Sequence, residues 1–244
     1  MPQLLPVNFL VEHQQNYLPF ITQAELSHTP FHSACCHFDV QAYSPQLAED
    51  LGVVLPQALQ HAVKKRQAEY LASRWLVTQL LNTLAIPNFQ LLNRADRSPI
   101  WPEGVSGSLS HHGNKVFAMI ASNSYLVGTD IEKNLTAQRA RELQSMIMSS
   151  AELARMTAAG FSLAQATTLI FSIKEALYKA VFPVVQKLFG FEQATVTAVN
   201  PLLNQISLEL SPAIWPAQHG PSSWQAHYWQ SDSEVLSWLV APRS

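Results

Sequence analysis

Two short stretches carry residues fitted for chemistry. In Tyr125-Leu-Val-Gly-Thr-Asp-Ile-Glu132 an apolar run of strand character ends in two carboxylates two residues apart, and the period of a strand sends Asp130 and Glu132 out of one face. In Phe171-Ser-Ile-Lys-Glu-Ala-Leu-Tyr-Lys179, Glu175 and Lys179 are spaced i, i+4, so a helix stacks them on one side with Phe171 a turn earlier. Two same-face carboxylates repel each other, and in an apolar setting they need a positive partner. A hard divalent cation fits, because Mg²⁺ takes oxygen ligands at about 2.0–2.1 Å and completes its shell with phosphates and water. A lysine nearby neutralises phosphate oxygens the metal leaves uncovered. We read a metal–diphosphate site; a plain Glu175–Lys179 ion pair in a buried helix satisfies the same spacing.

These residues need a strand and a helix to hold them. Ser149 with Glu152 and Ser162 with Gln165 make two capping boxes, and Gly160 separates the helices they start. The second helix is expected over about Leu163 to Phe182, stopped by Pro183. Leu163, Ala166, Ile170, Ile173 and Leu177 form one apolar stripe, while Phe171, Tyr178 and Phe182 line another side, so Glu175 and Lys179 sit within apolar surroundings, where charges pair or ligate.

Upstream, Ala34–Tyr43 has the apolar content of a strand, and residues 1–33, rich in Pro, Gln, Asn and His, read as surface loop. A helix is expected from about Pro56 to Leu84, and on it Arg66 and Arg74 lie within about 80° of each other. That side can present two guanidinium groups to an anion, whereas Lys64 and Lys65 read as a solvated face. Gly107-Ser-Leu-Ser-His111 runs as a short strand into His112-Gly113-Asn114, and Val116–Ala121 is a buried strand. A hairpin Lys115–Glu132 would bring the His111 end beside the metal. After Ala194, four short strands (194–199, 206–210, 224–230, 235–240) separated by proline, asparagine and aspartate read as an antiparallel meander. Both halves run strand, helix, strands, with a seam at Ser122-Asn123-Ser124, which gives domains 1–122 and 123–244.

The totals narrow the class. With 244 residues, 48% hydrophobic and 13% charged, the chain is globular. A net charge of −2 speaks against a general nucleic-acid binder. The N-terminus lacks a basic leader and its apolar run breaks at Pro6, so no signal peptide is expected; no stretch reaches the roughly 18 uncharged apolar residues of a spanning helix. Cys35 and Cys36 are adjacent, too close for an ordinary disulfide, and a reducing, cytoplasmic setting is expected.

Gly128-Thr-Asp-Ile-Glu-Lys133, followed about forty residues on by Phe171-Ser-Ile-Lys-Glu-Ala-Leu-Tyr-Lys179, resembles the paired motifs of the 4′-phosphopantetheinyl transferases. Ser110-His111 upstream, Trp101-Pro102 and Lys65-Arg66 with Arg74 extend the likeness over residues 34–182, most similar to the subgroup serving enterobactin synthase. The resemblance implies an α+β fold of two similar, pseudo-twofold halves with the site between them. It implies a reaction in which coenzyme A gives its phosphopantetheine to a serine of an apo carrier protein, leaving 3′,5′-adenosine diphosphate. By motif, Asp130, Glu132 and Glu175 would hold Mg²⁺, Glu175 would also be the base, and Lys179 would offset diphosphate charge. Ser110 and His111 would contact coenzyme A phosphates, and Arg66 with Arg74 the 3′-phosphate. Thr129 stands where isoleucine is common in the family, and His112 where a small residue follows the histidine. Two rivals are a carrier-binding module without catalysis, which would be expected to have lost a carboxylate, and an unrelated Mg²⁺-dependent nucleotide hydrolase, for which no glycine-rich phosphate loop is present.

Overall fold

One long helix laid on a five-stranded antiparallel sheet recurs in both units of the chain, Met1–Ser122 and Asn123–Ser244. The computed structural model describes residues 5–6, 19–28 and 31–243. The N-terminal reading, an apolar run broken at Pro6, falls almost wholly outside the described residues.

In the first unit, strands β1 (Leu5–Pro6), β2 (Ile21–Ser27), β3 (His32–Phe38), β4 (Val105–His112) and β5 (Lys115–Ser122) form a sheet in the order β1-β2-β3-β5-β4. Short helices α1 (Gln46–Asp50) and α2 (Gln57–Gln60) precede the long α3 (Lys64–Asn82). Alternation on β3 and β5 turns Ala34, Cys36 and Phe38, with Val116, Ala118 and Ile120, to one face. They share a buried cluster with Leu71, Ala72, Trp75, Leu76 and Leu80 of α3, and this apolar burial holds the helix to the sheet.

The second unit orders its strands β6-β10-β9-β8-β7: β6 (Tyr125–Lys133), β7 (Ala194–Asn200), β8 (Gln205–Leu210), β9 (Ser223–Gln230) and β10 (Glu234–Pro242). The expected meander is there, and β6 adds to its far edge by pairing with β10 from Tyr125↔Pro242 to Lys133↔Glu234. Helices α4 (Ala137–Ile147), α5 (Ser150–Ala158) and α6 (Leu163–Val185) complete it. Both capping boxes form, at Ser149/Glu152 and Ser162/Gln165. Helix α6 crosses β6, β10 and β9, burying Leu169, Ile170, Ile173 and Leu177 with Val196, Ile206, Leu208, Val235 and Leu239. Among the described residues no single helix is long and apolar enough to cross a membrane.

Several local expectations need correcting. Ile21–Ser27, expected as loop, is a strand, because pairing along β3 supplies its hydrogen bonds despite a weak pattern. The β3 strand stops at Phe38, five residues short of Tyr43, and residues 40–42 turn. The helix expected over 56–84 is interrupted at His61–Val63, where Val63 takes an extended ψ of 147° and the chain restarts as α3. Strands β5 and β6 do not form a hairpin: β5 pairs with β3 and β4, while β6 pairs with β10. Pro183 does not stop α6, which runs on to Val185 before Gln186 turns left-handed at φ 47°. A proline this near the end removes one backbone bond and leaves little helix beyond to break.

Candidate functional site

Strand β6 delivers the two carboxylates as its period requires. Gly128, Asp130 and Glu132 share the face turned to α6, in register with Leu239, Ser237 and Val235 of β10. Gly128 makes the close approach possible: a Cβ there would overlap the Ala176 carbonyl oxygen and stand 2.9 Å from the Ala180 Cβ. The helix backbone beside Glu175 is therefore pressed directly on the strand two residues before Asp130.

Across this seam Lys179 Nζ donates to Asp130 Oδ1 at 2.6 Å, with the aspartate buried and the lysine partly exposed. The i, i+4 spacing suggests Glu175 as the lysine's partner, whereas in the fold this bond goes to the strand. Burial pushes the Glu132 carboxyl up to about 7, with Asp130 and Glu175 adding to the rise and Lys179 opposing it. Burial likewise raises Glu175, opposed by Lys179 and reinforced by Asp130. These four groups thus act on one another, three acids against one base. Among the described residues, however, no three histidine, cysteine, aspartate or glutamate side chains are gathered closely enough to hold a metal ion as they stand. The donor chemistry nevertheless fits a hard cation: the set is oxygen-only, and its repulsion and desolvation are what a divalent ion would relieve.

Lys174, next to Glu175, points away into the core, a role that the motif alone does not assign. It pairs with Glu152 Oε1 at 2.8 Å and donates to the carbonyls of Ile147 (2.9 Å) and Phe191 (3.1 Å). Glu152 also accepts the Ser149 and Val196 amides, each at 2.8 Å. Burial would raise Glu152, yet these bonds hold it below the usual carboxylate range; burial lowers Lys174 against the pull of its partner. One buried pair thereby ties the end of α4, the start of α5, α6 and β7 together. The 100° step of a helix is the signal that separates Lys174 from Glu175.

Beside Glu175 opens a cleft of about 210 Å³ lined by Tyr178, Leu188, Phe189, Gly190 and Phe191. Tyr178 packs on Phe182 and Phe189 at centroid distances of 5.3 and 5.0 Å. Thr129, the departure from isoleucine, is fully buried on the other face of β6 and donates to the Ser237 carbonyl at 3.0 Å.

In the first unit, α3 and β4 bring Arg66 and His111 together. Arg66 Nη1 donates to His111 Nε2 at 2.9 Å and to Glu69 Oε2 at 3.4 Å. An arginine can only donate, so Nε2 is the accepting nitrogen of that ring. Glu69, the i, i+4 partner that the spacing gives Lys65, stands among Lys65, Arg66 and His111 at 3.4–3.9 Å. Ser110 does not join them on that face, because alternation along β4 sends it to the side opposite His111. Arg74 is also elsewhere. It is buried, donates to the Leu91 carbonyl (2.9 Å), Ser73 Oγ (3.1 Å) and Asn93 Oδ1 (2.6 Å), and stacks 4.1 Å from the Tyr70 ring. The 80° between the two arginines suffices to turn one outward and the other under the loop at 91–93. The Trp101 indole lies over Gly107, where a Cβ would come within 2.7 Å of the ring.

Comparison with known proteins agrees with this layout of motifs. The profile of the 4′-phosphopantetheinyl transferase N-terminal domain matches residues 55–121, and that of the 4′-phosphopantetheinyl transferase superfamily matches residues 126–237. The chain is 33% identical over 183 residues to enterobactin synthase component D of Salmonella typhi, covering 75% of each chain. It is 37% identical over 122 residues to the protein of that name from Escherichia coli strain K12, covering 50% of this chain and 58% of that one. It is 28% identical over 167 residues to the 4′-phosphopantetheinyl transferase PptT of Mycobacterium tuberculosis, covering 66% and 72%. The extent and identity of these matches place the chain in the 4′-phosphopantetheinyl transferase superfamily, as an enzyme that moves phosphopantetheine from coenzyme A to carrier proteins.

Proposed function

We propose that this transferase modifies carrier domains of siderophore-type peptide assembly, and that Asp130, Glu132 and Glu175 hold Mg²⁺ for the step. The single observation behind the metal reading is geometric: Asp130 and Glu132 leave β6 on the face turned to α6, where Gly128 lets the helix backbone beside Glu175 press on the strand and Lys179 reaches Asp130; burial and the neighbouring acids raise Glu132 accordingly. A divalent ion bound by these oxygens would neutralise charge on the coenzyme's pyrophosphate. Glu175 would take the proton of the carrier serine directly or through a water. The serine oxygen then bonds to the phosphorus that carries the pantetheine. The bond from that phosphorus to the bridging oxygen breaks, and 3′,5′-adenosine diphosphate leaves with the electron pair. Lys179, already at Asp130, offsets charge on the diphosphate, and positioning plus charge neutralisation supply most of the acceleration.

Arg66 and His111 of the first unit are proposed to take further phosphate oxygens of coenzyme A, with Ser110 contributing through its backbone. Arg74 instead ties down the loop at 91–93. The apolar cleft next to Glu175 offers room for the pantetheine arm. The siderophore assignment rests on the names of the Salmonella and Escherichia relatives. Cys35 and Cys36, which are not in a disulfide, support a reducing, cytoplasmic setting, and the net charge of −2 supports a protein rather than a nucleic-acid partner.

The test is mass spectrometry of an apo aryl or peptidyl carrier domain incubated with coenzyme A, Mg²⁺ and the enzyme. A phosphopantetheine mass gain that disappears on chelation is expected. Transfer that proceeds undiminished in excess chelator would remove the metal from the reading.

A further inference from the structure

The seam between α6 and the strands holds a second polar pair besides Lys179–Asp130. Ser172 Oγ and Ser237 Oγ lie 2.7 Å apart, both fully buried. Ser237 stands directly across from Asp130 in the β10–β6 register. Its carbonyl accepts the Thr129 hydroxyl, so the strand side of the pair is itself fixed.

On the helix, Ser172, Ala176 and Lys179 stand at i, i+4 and i+7, a single stripe. Each meets the strands at one point: Ser172 at Ser237, Ala176 at Gly128, and Lys179 at Asp130. A helix touching at one point can roll and slide; three points along a stripe remove both motions. Glu175 projects about 100° from Ala176, and with side chains about 5–6 Å from the axis a roll of only 10° displaces its carboxylate by about 1 Å. Alanines would fill nearly the same space at both serine positions without burying hydroxyls. What the hydroxyls add is direction, because a hydrogen bond weakens with angle and an apolar contact does not.

We propose that the Ser172–Ser237 hydroxyl pair is a positioning device, setting the roll of α6 and hence where Glu175 stands relative to Asp130 and Glu132. The proposal rests on those three carboxylates sharing a metal ion.

The experiment compares S172A, S237A and S172A/S237A by melting temperature, by Mn²⁺ affinity of the coenzyme-free protein from electron paramagnetic resonance, and by kcat and KM. Each single variant leaves a buried hydroxyl without its partner and should melt lower; the double variant leaves none and should recover much of that loss. If the pair positions Glu175, Mn²⁺ affinity stays about five- to tenfold weak and kcat about tenfold low in the double variant, with KM for coenzyme A within about twofold. A double variant that regains wild-type Mn²⁺ affinity and kcat overturns the proposal, since the pair would then act on stability alone. If the double variant does not fold, S172A decides alone, and unchanged Mn²⁺ affinity sinks the idea. A wild-type protein that takes up no Mn²⁺, with or without coenzyme A, while still transferring phosphopantetheine removes the metal reading itself, and this inference with it.

Discussion

The two long helices meet their sheets by different means. Helix α3 lies on β3 and β5 through apolar side chains, and its charges are engaged elsewhere: Lys64 donates to the Gln41 carbonyl, and Arg74 to Leu91 and Asn93. Helix α6 is also held by apolar burial along much of its length, but where it crosses β6 and β10 the contacts include a bare backbone at Gly128, an ion pair at Asp130 and a hydroxyl pair at Ser237. Apolar burial is non-directional and tolerates small rolls of a helix. Directional contacts do not, and they occur where the proposed base must be held in place.

Removing the acids should break the comparison most severely. Glu175→Ala or Glu132→Ala is expected to lower kcat about 10³-fold, the loss typical when a base or a charge-stabilising group is deleted. Neither substitution opens an apolar cavity, and each relieves like-charge repulsion, so melting temperature should not fall. Steady-state transfer and scanning fluorimetry check both; near-normal turnover of Glu175→Ala would take the base and metal roles away from it.

Gly128→Ala comes next. The added methyl overlaps helix backbone, which cannot swing aside, so α6 must lift from β6. Overpacking of this kind costs about 1–3 kcal/mol, and displacing Glu175 by about 1 Å should lower kcat about 10²-fold. Gly107→Ala in the first unit is the control. There the obstruction is the Trp101 ring, a side chain able to shift, so the same methyl should leave kcat within a few-fold of wild type. Equal effects on kcat at the two glycines would erase the distinction between the units.

The arginines sharpen the contrast within α3. Arg74→Ala removes buried bonds from a charged group and should cost about 3 kcal/mol in urea unfolding, while the folded enzyme keeps its KM for coenzyme A within about threefold. Arg66→Ala should do the reverse, raising KM about tenfold, the loss of roughly one charged hydrogen bond, with little change in stability. A tenfold KM rise for Arg74→Ala without destabilisation would return that residue to the phosphates.

These outcomes separate what periodicity reveals from what it cannot. The shared face of Asp130 and Glu132, the capping boxes at Ser149 and Ser162, and the four strands after Ala194 follow from short-range rules, and the sequence displays them. Lys179 could not be assigned to Asp130 that way, because the two are 49 residues apart and the choice between Asp130 and Glu175 is made by how α6 lies on β6. Arg74 shares a helix side with Arg66 in projection, yet the loop at 91–93 captures it. The turn from β5 to β6 looks like a hairpin locally, but β6 finds its partner in β10, more than a hundred residues later. Helix α4 escaped notice since its stripe is thin, only Ala140 and Ile147 being buried, and its start depends on a Thr136 cap.

The smallest expected effect concerns charge alone and tests whether the seam of the second unit is under electrostatic strain without metal. Burial and the neighbouring acids push the Glu132 carboxyl up to about 7 in the folded protein, against about 4.5 for an ordinary glutamate. Between those values the folded state keeps a proton that the unfolded chain has lost, so this group's contribution to stability falls as pH rises from about 4.5 to about 7 and is level above. Partial exposure lets water screen part of it. Metal-free wild-type protein should therefore lose about 2–4 °C more of its melting temperature between pH 6 and pH 8 than Glu132→Gln does. Mg²⁺ favours the ionised carboxylates, so it should raise the melting temperature more at pH 8 than at pH 6, and less in the Gln variant. Parallel pH profiles for the two proteins would mean that Glu132 is not held out of its ordinary range, and the seam would carry no charge strain for a metal to relieve.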